Sequence, residues 1–142
     1  DGKVKTPTVT ITSADGKTVD SANYDISYAN GRKDAGTYDV KVTFKGNYTG
    51  SLTTKFTIAK ANQSLKIKLP KKKMKVGAKA KIKITANKGH GKVTYKVSNK
   101  KIAKIKKDKL VALKKGKVKL TVTLKATKNY KQKKVTIIIK VK

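Results

Sequence analysis

The chain has 142 residues, of which 38 are Lys or Arg and seven are acidic, for a formal charge of +31. There is no cysteine, which excludes disulfides and thiolate metal sites, and no apolar run approaches the ~20 residues of a membrane-spanning helix. The length suits one ordinary domain or two small ones. With only 37% hydrophobic residues, such charge can signal disorder, so the order of the residues has to decide.

In chain order, "TVTIT" (8–12), "YDISY" (24–28), "TYDVKVTF" (37–44) and "SLTTKFTI" (51–58) alternate apolar with polar residues. Strict alternation predicts half-buried strands. The inward sets are Val9 and Ile11; Tyr24, Ile26 and Tyr28; Tyr38, Val40, Val42 and Phe44; and Leu52, Phe56 and Ile58. Turn signals separate them at "ADGK" (14–17), "ANGRKDAG" (29–36) and "KGNYTG" (45–50). The short linker "AKAN" (59–62) follows, and the composition changes there. Residues 1–59 hold eight basic and six acidic residues, a net +2, whereas residues 60–142 hold thirty lysines and one acid, Asp108, a net +29. Six of the eight aromatics precede residue 60.

Beyond the linker, "LKIKL" (65–69), "KAKIKIT" (79–85), "VTYKV" (93–97), "KVKLTVTLKA" (117–126) and "VTIIIKV" (135–141) alternate again, now with lysine at the polar positions. Lysine therefore takes the outward side of strands whose inward residues favour a pleated surface. Its stem can lie over apolar surface while the ammonium stays wet, and on edge strands it opposes aggregation. Ile138 interrupts the polar face of its strand, which predicts cover on both sides or contact with the neighbouring domain. No segment has helical spacing. Asn-Tyr precedes the last strand of each half, at Tyr48 and Tyr130, which predicts equivalent corners that cover the core edge and leave the hydroxyls to bond backbone. The expected fold class is all-β: two tandem antiparallel β-sandwich domains, 1–59 and 60–142.

The stretches "LKIKLPKKKMKVGAKAKIKITA" (65–86), "GKVTYKVSNKKIAKIKKDKLVALKKGKVKLTVTLKA" (91–126) and "NYKQKKVTIIIKV" (129–141) resemble a bacterial immunoglobulin-like domain of the group 2 type. In the first half, Gly2, Pro7 before "TVTI", "NYDISYANGRKDAGTYDVKVTFKGNYTGS" (23–51) and the closing "FTI" resemble another bacterial Ig-like repeat of secreted Gram-positive proteins. The resemblance implies Ig-like topology in both domains and a non-catalytic stalk, spacer or adhesion role on a cell surface. It fixes no ligand residues. The start at Asp1, inside a strand lead-in, is read as a fragment of a larger secreted protein, extracellular or associated with the cell wall.

The catalytic inventory is thin: no Glu, no Cys and one histidine, His90, in the loop "NKGHGK" (87–92). A Ser-His-Asp arrangement would need Ser98 and Asp108 beside His90. Zinc wants about four ligands, and Asp15, Asp20, Asp25, Asp34 and Asp39 lack calcium-loop spacing. Asp15 and Asp34 read as turn residues, as does Asp108. An isopeptide crosslink would need a buried acid, and Lys41, Lys45 and Lys55 face outward. The glycines of "KVGAKAK" and "KGHGK" lack the strand-to-helix setting of a phosphate loop. No catalytic, cofactor-binding or metal-binding residue is expected, and the chain is read as no enzyme.

The lysines carry the functional expectation. A field of this size concentrates anionic polymers, and lysine acts as a mobile point charge where arginine would read geometry. The candidate contacts are Lys71, Lys72, Lys73 and Lys75 in a loop run; Lys79, Lys81 and Lys83 on one strand face; Lys100, Lys101, Lys106 and Lys107 in a mid-domain connection; and Lys114 and Lys115. Expected partners are an anionic polysaccharide or teichoic acid, with acidic host glycans as further candidates. Without a recognition helix or exposed aromatics, nucleic acid binds only non-specifically, and no membrane insertion is expected. The alternatives are a non-specific nucleic-acid-binding protein and a purely structural spacer.

Overall fold

Residues 1–86 and 91–142 are described in the structure, a computed structural model. The chain is all-β and divides into two units, Asp1–Ala59 and Lys60–Lys142. Among the described residues the only helical piece is one 3-10 turn, Ser21–Asn23, capped by the Asp20 carboxylate. No helix among them is long and apolar enough to cross a membrane.

In unit 1, β1 (Tyr24–Tyr28), β2 (Gly36–Phe44) and β3 (Ser51–Ile58) form an antiparallel meander with β2 in the centre. Ile26 faces Val42 and Tyr38 faces Phe56 across the ladders, so the alternating apolar sets fall on one side. Val40 and Val42, on the central strand, are buried there, as is Val19 from the preceding segment. Leu52 stands opposite Val42 as the alternation predicts, yet it is 54% exposed, because β3 is an edge strand with a single neighbour.

The predicted strand at 8–12 adds no ladder. It has one isolated bridge, from Thr12 to Thr18 in its own turn. Side chains and one backbone bond, from the Lys5 amide to the Arg32 carbonyl at 2.9 Å, tie this lead-in down. The Tyr28 hydroxyl donates to the Pro7 carbonyl at 2.7 Å, and the Arg32 Nε donates to the Lys5 carbonyl at 2.9 Å. The Arg32 guanidinium also lies 5.0 Å from the Tyr28 ring centre, and its other arm donates to the Ala29 carbonyl. The single arginine of the chain is thus a structural clamp. Pro7 has no N–H to offer a ladder, which favours this mode of attachment.

Unit 2 buries a core between two sheets. A four-stranded sheet has the order β5 (Lys73–Met74), β12 (Lys133–Val141), β11 (Gly116–Leu124), β8 (Val93–Val97), and a three-stranded sheet has the order β6 (Lys79–Lys81), β10 (Lys109–Ala112), β9 (Ala103–Lys106). A ribbon of β4 (Lys66–Lys68) and β7 (Lys83–Ala86) completes it. Among the described residues the ladders are antiparallel except β5 with β12, and an isolated parallel bridge joins Ala61 to Tyr130. Ala80, Ala103, Leu110 and Ala112 from the smaller sheet meet Leu120, Val122, Leu124 and Ile139 from the larger one in a single cluster. Each fully buried large apolar side chain stabilises the fold by roughly 1.5–3 kcal/mol, which is what opposes the repulsion of the charged exterior.

Several local features depart from a plain strand reading. The stretch 79–85 is not one strand. It breaks at buried Ile82, whose amide donates to the Asp108 carbonyl at 2.7 Å, and β6 and β7 then join different partners. The stretch holding Lys100, Lys101, Lys106 and Lys107, read from sequence as a connection, contains a strand, and residues 103–106 pair with 109–112 as a hairpin. Its turn holds Lys107 at φ 54, the one non-glycine residue with positive φ among those described. Gln63 is buried, and its Nε2 donates to the carbonyls of Lys125 and Lys131, both at 2.8 Å, pinning the start of unit 2 to the β11–β12 connection. Gly91 packs against the same place: a Cβ there would stand 2.2 Å from the Lys125 carbonyl oxygen. Ile138 itself is 60% exposed. The tyrosine hydroxyls with a described backbone bond belong to Tyr28 and Tyr38, not to the expected corners Tyr48 and Tyr130.

Candidate polyanion-binding surface

Cross-strand register decides which lysines become neighbours. On the outer face of the three-stranded sheet, Lys109 stands directly opposite Lys81 on one side and Lys106 on the other. Two residues along, Val111 stands between Lys79 and Lys104. Five lysines therefore share this small face, all exposed. Val111 points the same way and is nevertheless 8% exposed while lying outside the core cluster. The apolar stems of Lys79 and Lys104 are its cross-strand neighbours, and such stems shield apolar surface while their charged ends reach water.

The outer face of the four-stranded sheet repeats the pattern. Lys140 stands between Lys117 and Lys73, Lys119 lies opposite Ile138, and Lys96 and Lys134 face Thr121 and Thr123. In the ribbon, Lys68 faces Lys83.

Against these cations unit 2 offers one acid. Asp108 Oδ2 lies 3.5 Å from Lys81 Nζ. Burial raises the pKa of Tyr95, and the Asp108 charge adds to that rise. Unit 1 is locally balanced by contrast: Lys45 pairs with Asp25 at 2.8 Å, Lys17 with Asp15 at 3.3 Å, and Lys55 with Asp39. The Ser13 hydroxyl bonds the Asp15 carboxylate and, with Lys17, holds its pKa below 3.8.

The predicted lysines divide among these surfaces. Lys79, Lys81 and Lys106 meet on the three-stranded face, and Lys73 lies on the opposite sheet. Lys83 is in the ribbon. Lys71 and Lys72 precede β5, and Lys75 follows it. Lys100 and Lys101 occupy the β8–β9 turn, Lys107 the β9–β10 turn, and Lys114 and Lys115 the β10–β11 turn. All thirteen are exposed. Lys96, Lys109 and Lys140 belong to the faces although no sequence run marks them, and Lys134 joins them from the pair Lys133–Lys134. Lys71, Lys73, Lys75 and Lys79 also rim an open cleft of about 470 Å³ floored by Met74 and Ala80.

Two members of the triad considered from sequence are engaged elsewhere. Ser98 Oγ accepts the Lys119 amide at 2.9 Å, and Asp108 faces Lys81. His90 lies outside the described residues. Among the described residues no group of three or more His or Asp side chains comes together as a metal site would require.

No family model and no curated protein matches the sequence. Among solved structures, domains 4 and 5 of the S-layer protein SbsC are similar, at 18% identity over 94% of this chain and 80% of that one, with a TM-score of 0.35. A longer SbsC structure, rSbsC(31-844), is also 18% identical, covering 95% of this chain and 22% of that chain, with a TM-score of 0.36. The chain thus spans about a fifth of the longer S-layer structure.

Proposed function

We propose that the chain is a non-catalytic stalk or adhesion module of a secreted or cell-wall-associated protein, with unit 2 contacting anionic polymers through lysine electrostatics. In this reading both units are bacterial Ig-like repeats, unit 2 of the group 2 type. The ligands are linear polymers of repeated negative charge: teichoic acid in a Gram-positive wall, or acidic glycans of a host. The observation that carries the reading is the register Lys81–Lys109–Lys106, with a single acid beside it. Directly opposed like charges destabilise a sheet, so three lysines in one row need a reason beyond folding. Attraction to a polyanion supplies one, and counterion release gives it a strong salt dependence.

The test is binding of the full chain to teichoic acid, heparin, acidic mucin and duplex DNA at about 150 mM salt, where loose surface attraction is largely screened. Preference for one polymer over others of matched charge density supports an adhesion module. Preference for DNA overturns it for the nucleic-acid reading. Equal affinity for all, lost together as salt rises, reduces the lysines to the coat of a spacer.

A further inference from the structure

We infer that unit 2 is a two-sided connector that holds two separate polyanion chains, one on each sheet face. The inference rests on the proposed polyanion binding and adds the number and placement of the sites. Both sheets send their inward residues into one core cluster, so their lysine-bearing faces point in opposite directions. One face carries Lys79, Lys81, Lys104, Lys106 and Lys109. The other carries Lys73, Lys96, Lys117, Lys119, Lys134 and Lys140.

Packed sheets lie ~10 Å apart, and a lysine stem on each side puts the two ammonium layers roughly 20 Å apart. That is more than two Debye lengths at physiological salt, where the length is about 8 Å. A chain bound on one face therefore leaves the attraction of the other nearly intact. Adjacent strands also set neighbouring lysines in each row ~4.8 Å apart, so each face offers a polymer several charges at once. A module built this way ties polymers together rather than only resting on one.

The experiment uses the full chain and two pools of heparin, one labelled with an energy-transfer donor and one with an acceptor, at about 150 mM salt. Anisotropy reads binding and energy transfer reads bridging. One variant replaces the five lysines of the three-stranded face by threonine, which keeps strand preference. A second replaces the six lysines of the four-stranded face in the same way. A third, as a charge control, replaces Lys60, Lys66, Lys68, Lys128 and Lys131, exposed lysines of unit 2 that lie on neither face. A milder variant, Lys81→Thr with Lys106→Thr and Lys109→Thr, stands in if a full-face variant fails to fold.

The expected result is two heparin chains per wild-type molecule and strong transfer, retained in the charge-control variant. Either face variant still binds, but at one chain per molecule and with transfer lost. Transfer that survives removal of one face, or vanishes in the charge control, overturns the connector. Binding without transfer in the wild type overturns it as well. An absence of heparin binding in the wild type overturns the polyanion reading beneath it.

Discussion

The row Lys81–Lys109–Lys106 puts the self-repulsion of unit 2 within reach of one substitution. Lys109→Glu converts two like-charge neighbours into two attractive ones. With the charged ends splayed to about 7 Å in a water-like dielectric, each unit-charge contact is worth ~0.6 kcal/mol. Removing two repulsions and adding two attractions should then stabilise unit 2 by roughly 2 kcal/mol at ~10 mM salt, falling to about 1 kcal/mol at ~150 mM as the Debye length shortens from 30 to 8 Å. Lys109→Thr, which only removes repulsion, should give about half of each value. The assay is urea unfolding of the full chain, followed by the methyl resonances of Leu120 and Ile139, both fully buried in unit 2. Urea is uncharged and leaves the salt axis free. For the wild type the same reasoning predicts rising stability from ~10 to ~150 mM salt. Lys109→Glu no more stable than wild type, or a gain that does not shrink with salt, would refute the claim that cross-strand lysine repulsion is a real cost in this fold.

Three further outcomes follow from particular contacts. Gly91→Ala drives a Cβ to within 2.2 Å of the Lys125 carbonyl oxygen, an overpacking that should cost about 1–3 kcal/mol in the same unfolding assay. Lys107→Gly relieves a left-handed backbone at φ 54 and should stabilise unit 2 by roughly 0.5–1 kcal/mol after glycine's own entropic cost; a loss would mean that the lysine side chain matters to the turn. The Asp15 carboxylate is held below 3.8 by Ser13 and Lys17, so its stabilising effect is complete above that ordinary value and is lost as pH falls through the lower folded one. An NMR titration should place its midpoint below 3.8, and Ser13→Ala should move it back up.

Legibility from the sequence followed a physical line. Alternation located the long strands of unit 2 because each has one dry side: Val118, Leu120, Val122 and Leu124 are all buried, with Lys117 and Lys119 outside. It overreached at 8–12, where Val9 and Ile11 are half-buried on a lead-in held by Arg32 and Tyr28 and not by a ladder. It undercounted the short strands β5, β9 and β10, which are too brief to show a period. Ile82 is invisible as a break because its own alternation is intact; only pairing reveals that the chain changes sheets there. The lysine surface was legible in kind and not in arrangement. Dense runs such as Lys71–Lys72 and Lys100–Lys101 fall in turns, whereas the faces come from lysines spaced by two that tertiary pairing sets side by side. Lys109 and Lys140, the centres of the two rows, stand out only once the register is known.

The most direct test of the account is heparin titrated into the isotopically labelled full chain at about 150 mM salt, with every amide followed by NMR. The account predicts shifts on the outer-face lysines of β6, β9 and β10 and of β5, β8, β11 and β12, with unit 1 unmoved despite its own lysines. Shifts spread evenly over both units, or confined to the lysine-rich turns with the sheet faces silent, would contradict it.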